Sequence, residues 1–250
     1  MKFLYLSTID AQAGKLAREN GLGLEIASFC TAWNMDEQFF QTDAALREQL
    51  KGVPQRLLHG PFNELFPCAI DPLARKLAAH RYGQALELSQ RYGASKLILH
   101  GGYSPKLYYP CWYTEQSVIF WREFLKEHPG DYEICLENVM EEEPEMLLTI
   151  VSQVGDPRLR LCLDVGHVNA YSPIPALDWI SRWGELLSHA HLHNNHGTAD
   201  THSALPDGTL PMEDILKALP PQATATLELP EIGQNIQWLI DRGFIEYTPL

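Results

Sequence analysis

The sequence predicts an α/β fold, a closed (β/α)8 TIM barrel, on three observations. Short apolar runs, each followed by polar or Gly/Pro residues and then by a stretch with helical spacing, recur eight times along the chain. Spread over 250 residues, the repeats average about 31 residues each, the usual size of one unit of such a barrel, and leave no room for a second domain. No linker-like or low-complexity stretch interrupts them, so residues 1–250 are expected to form a single domain. An open, doubly wound sheet would normally present a Gly-rich phosphate turn after its first strand, and Ser7-Thr8-Ile9-Asp10 offers none.

The elements follow in order. KFLYLS (2–7) and GLEIASF (23–29) are apolar runs closed by polar or turn residues, as are RLLHGP (56–61) and KLILHG (96–101). Between the third and fourth runs, 71–92 has helical spacing, with Leu73, Leu77, Tyr82, Ala85 and Leu88 predicted as its buried stripe. A second clear helix, 114–127, precedes the fifth strand, EICLEN (133–138). RLCLDV (160–165), SHAHLH (188–193) and TATLEL (224–229) complete the strands, and a helix near 231–242 closes the chain.

In a barrel the active site lies at the C-terminal ends of the strands, so titratable residues there read as catalytic. Six consecutive units place one or more at that position: His59 in LLHG, His100 in LILHGG, Glu137 in ICLEN, Asp164 and His167 in LCLDVGH, His191 in HAHLH and Glu228 in TLELP. Strand alternation turns Glu137 the same way as Cys135, and Asp164 the same way as Cys162, toward the barrel axis. Any one of these alone reads as a solvated loop residue, but six coinciding strand ends do not. Carboxylates and imidazoles ringed at one mouth would oppose one another's ionisation, a conflict that a divalent cation resolves. Mixed Asp, Glu and His ligands suit Zn²⁺ or Mn²⁺, with Mg²⁺ less suited as imidazole content rises. Five of the ten histidines fall between His189 and His202. His189, His191 and His193 share one strand face, which leaves open which of the three binds a metal, and His189, deeper along it, reads as a hydrogen-bonded layer residue. His80 and His128 are placed on helix surfaces.

Composition narrows the partners. With 32 Asp and Glu against 19 Lys and Arg, the formal charge of −13 disfavours a nucleic-acid phosphate backbone. MKFLYLSTID is too short in apolar residues for a signal-peptide core, and no later run approaches a membrane span, so a cytoplasmic location and no membrane partner are expected. Cys30, Cys68, Cys111, Cys135 and Cys162 are odd in number and contain no C-x-x-C pair, which predicts reduced, mostly buried thiols. No exposed apolar stripe names an oligomer interface.

LENV, then LDVGH, then HLHNN with D-x-H, then LELP, in that order, resembles the xylose isomerase-like TIM barrels, which include endonuclease IV and many sugar isomerases and epimerases. The resemblance runs from the first strand through Glu228. It implies a shared metal site of Glu137, Asp164, His191 and Glu228. It also implies counterparts of endonuclease IV's further ligands at His59, His100, His167, Asp200 and His202, so one ion is expected and up to three are possible by ligand count.

Two chemistries compete. By resemblance to the ketose epimerases and isomerases, Glu137 and Glu228 would stand on opposite faces of a small carbohydrate. One would remove a proton and the other return it through an enediolate, with His167 holding a substrate oxygen. The segment GGYSPKLYYPCWY, with Tyr103, Lys106 and Trp112, is expected to cover the mouth and contact substrate; packing of a long loop onto the barrel is the alternative. In the second chemistry the full ligand set hydrolyses a phosphoester at a multinuclear, endonuclease IV-like centre. The acidic charge favours the carbohydrate, and a noncatalytic sugar-binding barrel would not need two axial glutamates.

Overall fold

The computed structural model describes residues 4–246, so positions 2 and 3 of the first predicted strand lie outside the described residues. The strands are β1 (Leu4–Ser7), β2 (Gly23–Ile26), β3 (Arg56–His59), β4 (Leu97–His100), β5 (Ile134–Glu137), β6 (Leu159–Asp164), β7 (Leu187–Leu192) and β8 (Thr224–Leu227). They pair in parallel in sequence order, and β8 returns to β1 to close the barrel. Around them lie α1 (Ala13–Asn20), α2 (Ala32–Met35), α3 (Phe39–Leu50), α4 (Pro72–Tyr92), α5 (Pro110–Glu127), α6 (Pro144–Val154), α7 (Val165–Tyr171), α8 (Ala176–Trp183), α9 (Met212–Ala218) and α10 (Gly233–Asp241). No helix among the described residues is long and apolar enough to cross a membrane. All five cysteines are free thiols.

Local chemistry sets the helix ends. Asp71 caps α4 by accepting a hydrogen bond from the Leu73 amide at 2.7 Å, and Pro72 occupies the first turn, where no amide partner is needed. Gly93 ends the helix in the left-handed conformation at φ 65°. Pro110 starts α5 four residues before the predicted boundary, so Trp112 and Tyr113 belong to a helix and not to a mobile cover.

The buried face of α4 is Ala78, Tyr82, Ala85, Leu86, Leu88, Ser89 and Tyr92. Two members of the predicted stripe fall elsewhere: Leu73 is 73 % and Leu77 43 % exposed. Nine residues separate Leu73 from Tyr82, about two and a half helical turns, which puts them on opposite sides.

Two apolar compartments follow from strand alternation. Outward residues such as Leu58, Leu97, Leu99, Leu136 and Leu161 pack under the helices in the main core. Inside the barrel, Tyr5, Leu57, Ile98, Cys135 and Cys162 form a separate plug. One pleat period further along β3, β4, β5 and β6, the same inward face carries His59, His100, Glu137 and Asp164. On β7 the register shifts: Leu161 pairs with Leu187, but Cys162 pairs with His189. The extra residue turns His189 and His191 inward, where an uninterrupted ladder would have put Ser188 and Ala190.

Candidate functional site

At the C-terminal mouth, nearly every predicted ligand converges. Ligand atoms of Glu137, Asp164, His191 and Glu228 lie within 4.8 Å of one another, and all four residues are buried. His191 Nδ1 is 3.2 Å from Glu137 Oε1, 3.1 Å from Glu228 Oε2 and 3.8 Å from Asp164 Oδ2. The other Glu137 oxygen, Oε2, faces His59 Nε2 at 3.1 Å and His100 Nε2 at 3.6 Å. Asp200 Oδ2 lies 3.3 Å from His167 Nε2 and 3.1 Å from His202 Nε2.

Backbone carbonyls orient three of the imidazoles. Nδ1 of His59, His167 and His202 donates to the carbonyls of Gly60 (2.9 Å), Asn138 (2.9 Å) and Glu228 (2.8 Å), which turns each Nε2 toward the acids. His202 does this with a left-handed backbone, φ 46°, a conformation of order 1 kcal/mol uphill for a residue that is not Gly. Asn138 clamps the neighbouring strand: its side chain donates to the Asp164 carbonyl at 3.0 Å and accepts from the Asp164 amide at 2.9 Å. Asp164 in turn caps α7, accepting from the His167 amide at 2.7 Å. The loop carrying Asp200 and His202 is tied back by the Asn194–Ser203 bridge.

Burial opposes ionisation of Glu137, yet His191, His100 and His59 hold its carboxyl well below the usual range. Asp164, offset against burial by His167 and His193, and Glu228, by His191, are also lowered. Burial works against protonation of His167 too, but Asp164, Asp200 and Glu137 raise it to about 10. His202 rises to about 9 because Asp200 and the Glu228 carbonyl outweigh its burial. Burial carries His100 the other way, down to about 4. The acids are therefore ionised against imidazolium protons, the electrostatic place that a cation takes when it binds.

A divalent ion fits this donor set. Glu137 Oε1, His191 Nδ1, His193 Nδ1 and Asp200 Oδ1 are buried and have no hydrogen-bond partner. Such orphaned atoms are costly, and here they point into the two clusters. Carboxylate oxygens with imidazole nitrogens match Zn²⁺ or Mn²⁺. Among the described residues, His193, Asp200 and His202 form a further group of ligand atoms within 4.8 Å.

His193, one of the three histidines among which the sequence left the ligand open, links the groups. Its Nε2 is 2.9 Å from Asp164 Oδ2, its Nδ1 is 3.6 Å from Asp200 Oδ1, and its ring stacks on His202 at 3.9 Å. His189 is a layer residue, bonded to Thr224 and Thr226. Of the two histidines assigned to helix surfaces, His80 is exposed, but His128 stacks on Phe124 at 4.2 Å.

Above the clusters opens a cavity of about 350 Å³ lined by Ile9, Ala27, Cys30, Phe62 and the site residues His59, His100, Glu137, His167, Asp200, His202 and Glu228. Sequence reasoning missed Ile9, Cys30 and Phe62. Phe62 stacks on His100 at 4.4 Å. The three predicted substrate contacts are placed elsewhere. Tyr103 is buried against Tyr113, Trp112 Nε1 donates to the Cys68 carbonyl at 2.9 Å, and Lys106 is exposed; none lines the cavity. The aromatic segment packs a loop onto the barrel.

Residues 7–242 match the family described as xylose isomerase-like TIM barrel. The chain belongs to that family. Across 177 residues it is 29 % identical to an uncharacterized protein of Methanocaldococcus jannaschii; the match takes in 65 % of this chain and spans 59 % of that relative's length. Two solved structures share the xylose isomerase-like fold over nearly the whole length. One is a D-tagatose 3-epimerase-like protein, 22 % identical, with a TM-score of 0.76 over 97 % of this chain and 96 % of that one. The other is a protein from Thermus thermophilus soaked with ZnCl2, 23 % identical, with a TM-score of 0.74 over 96 % of this chain and 97 % of that one.

Proposed function

We propose that this barrel is a divalent-metal-dependent enzyme that isomerises or epimerises a small carbohydrate. The observation that carries the reading is the convergence of ligand atoms of Glu137, Asp164, His191 and Glu228 within 4.8 Å, with Glu137 and Glu228 lining the cavity. At about 350 Å³ the cavity sits at the small end of the roughly 300–1,000 Å³ range of small-molecule sites. None of the described lysines or arginines lines it, which suits a neutral sugar better than a polyanion. The fold likeness to a D-tagatose 3-epimerase-like protein supports the same choice.

A bound divalent ion would polarise a sugar carbonyl and acidify the neighbouring C–H. Glu137 at the end of β5 and Glu228 just past β8 both edge the cavity, so one carboxylate takes the proton and the other gives one back. His167, held by the Asn138 carbonyl, presents Nε2 to a substrate oxygen. Phe62 and Ile9 supply an apolar wall that limits water at the reacting carbon.

One observation favours a second reading, phosphoester hydrolysis at a multinuclear centre. Glu137 Oε2 faces His59 and His100, and Asp200 sits between His167 and His202, groups that a single ion does not require. Metal analysis with two assays separates the readings. One ion per chain, with solvent deuterium entering a ketose beside its carbonyl, supports the isomerase. About three ions, with cleavage of an aryl phosphate or an abasic-site oligonucleotide and no exchange, overturns it in favour of the hydrolase.

A further inference from the structure

Below the mouth, inside the barrel, lies a glutamate that the site does not use directly. Glu25 projects inward from β2, is fully buried and does not line the cavity. A buried carboxylate is unfavourable where an apolar side chain would fit, so its surroundings have to hold it. They hold one oxygen only. Oε2 accepts from the Thr226 hydroxyl at 2.5 Å and from His189 Nε2 at 3.1 Å. His189 is itself fixed, with Nδ1 2.6 Å from the Thr224 hydroxyl. Oε1 lies 3.0 Å from His191 Nε2, and neither atom has any other hydrogen-bond partner.

His191 is oriented differently from three of the site imidazoles. His59, His167 and His202 each tie Nδ1 to a backbone carbonyl and present Nε2 to the acids. His191 presents Nδ1 instead, and its Nε2 faces the barrel interior, where the strand carbonyls are committed to the ladder. The acceptor there has to come from a side chain.

We propose that Glu25 is a positioning residue for the metal site. By accepting the Nε2 proton of His191 it fixes the ring's tautomer and leaves the Nδ1 lone pair facing Glu137, Asp164 and Glu228. The inference rests on the metal reading and deepens it, since an outer carboxylate both orients a ligating histidine and strengthens it as a donor.

Glu25→Gln is the informative variant. An amide has one acceptor, which the Thr226 and His189 donors claim, so its NH2 meets His191 Nε2 and favours the other tautomer. Zn²⁺ and Mn²⁺ affinities, measured by competition with a chromophoric chelator, are expected to fall by about 10–100-fold, while the melting temperature of the chelator-treated protein stays close to wild type. Histidine ¹⁵N NMR of the wild type with Zn²⁺ is expected to show the His191 proton on Nε2, a readout that does not depend on any variant folding. Equal affinity in Glu25→Gln, or a wild-type proton on Nδ1, overturns the inference. A wild type that takes up neither ion overturns the metal reading and this inference with it, a result separable from a failure confined to the variant.

Discussion

Nε2 of His59 lies 3.1 Å from Oε2 of Glu137, the carboxylate oxygen that does not face His191. Glu137 thus joins the four-residue set on one oxygen to a histidine pair on the other. Replacing it with Gln keeps the shape and removes the charge shared by both sides. Zn²⁺ affinity of Glu137→Gln is expected to fall at least about tenfold, the scale at which even outer partners act. Circular dichroism should show the secondary structure unchanged. Competition against a chelator checks this, and wild-type affinity in the variant would remove Glu137 from the ligand set.

The metal-free protein should lose stability as pH rises. His167 and His202, raised from 6.5 to about 10 and about 9, bind protons more tightly folded than unfolded. Their contribution is complete below pH 6.5 and disappears as pH climbs through those values. Glu137, Asp164 and Glu228 are lowered, so their contribution is present above the ordinary carboxylate range and lost in acid. Thermal unfolding in chelator should therefore show a melting temperature that declines steadily above neutrality. With Zn²⁺ the decline should shrink, because the ion needs the same imidazoles unprotonated. A flat metal-free profile from pH 6.5 to 10 would contradict the charge assignment.

Much of the site was legible because strand alternation is rigid. His59, His100, Glu137 and Asp164 each stand two positions beyond an inward apolar residue, so their direction follows from a count. Glu25 was not legible. One acid in GLEI reads as the outward residue of a half-exposed strand, and its partners His189 and Thr226 lie 164 and 201 positions away. The β7 register shift was hidden as well, since a run of alternating histidines looks alike whichever face it presents. Leu73 and Leu77 were misassigned because apolar character alone does not fix which side of a helix meets the barrel.

The aromatic segment leading into α5 illustrates the same limit and carries its own prediction. Tyrosines and tryptophans suit a sugar cover and a packed loop equally well by composition, and contacts such as Tyr103 against Tyr113 and the Trp112 bond to the Cys68 carbonyl decide between them. Trp112→Phe gives up that bond but keeps most of the ring. It should cost about 1 kcal/mol in urea unfolding and leave Zn²⁺ affinity unchanged. A large loss of metal or substrate binding with stability intact would return Trp112 to the site.

Gly166, in the first turn of α7, tests how tightly the two clusters are joined. A Cβ at this position would overlap the His193 ring at Cε1 and Nδ1. The ring has little freedom to retreat, because Nε2 is engaged with Asp164 at 2.9 Å and its face is stacked on His202 at 3.9 Å. Gly166→Ala must therefore displace His193, and the displacement reaches Asp164 on one side and the Asp200–His202 pair on the other. Overpacking of this kind costs about 1–3 kcal/mol, so a lower urea midpoint is expected. Zn²⁺ affinity should fall together with stability, although the substitution removes no donor atom. If stability fell while Zn²⁺ binding held, His193 would be packing beside the clusters and not connecting them.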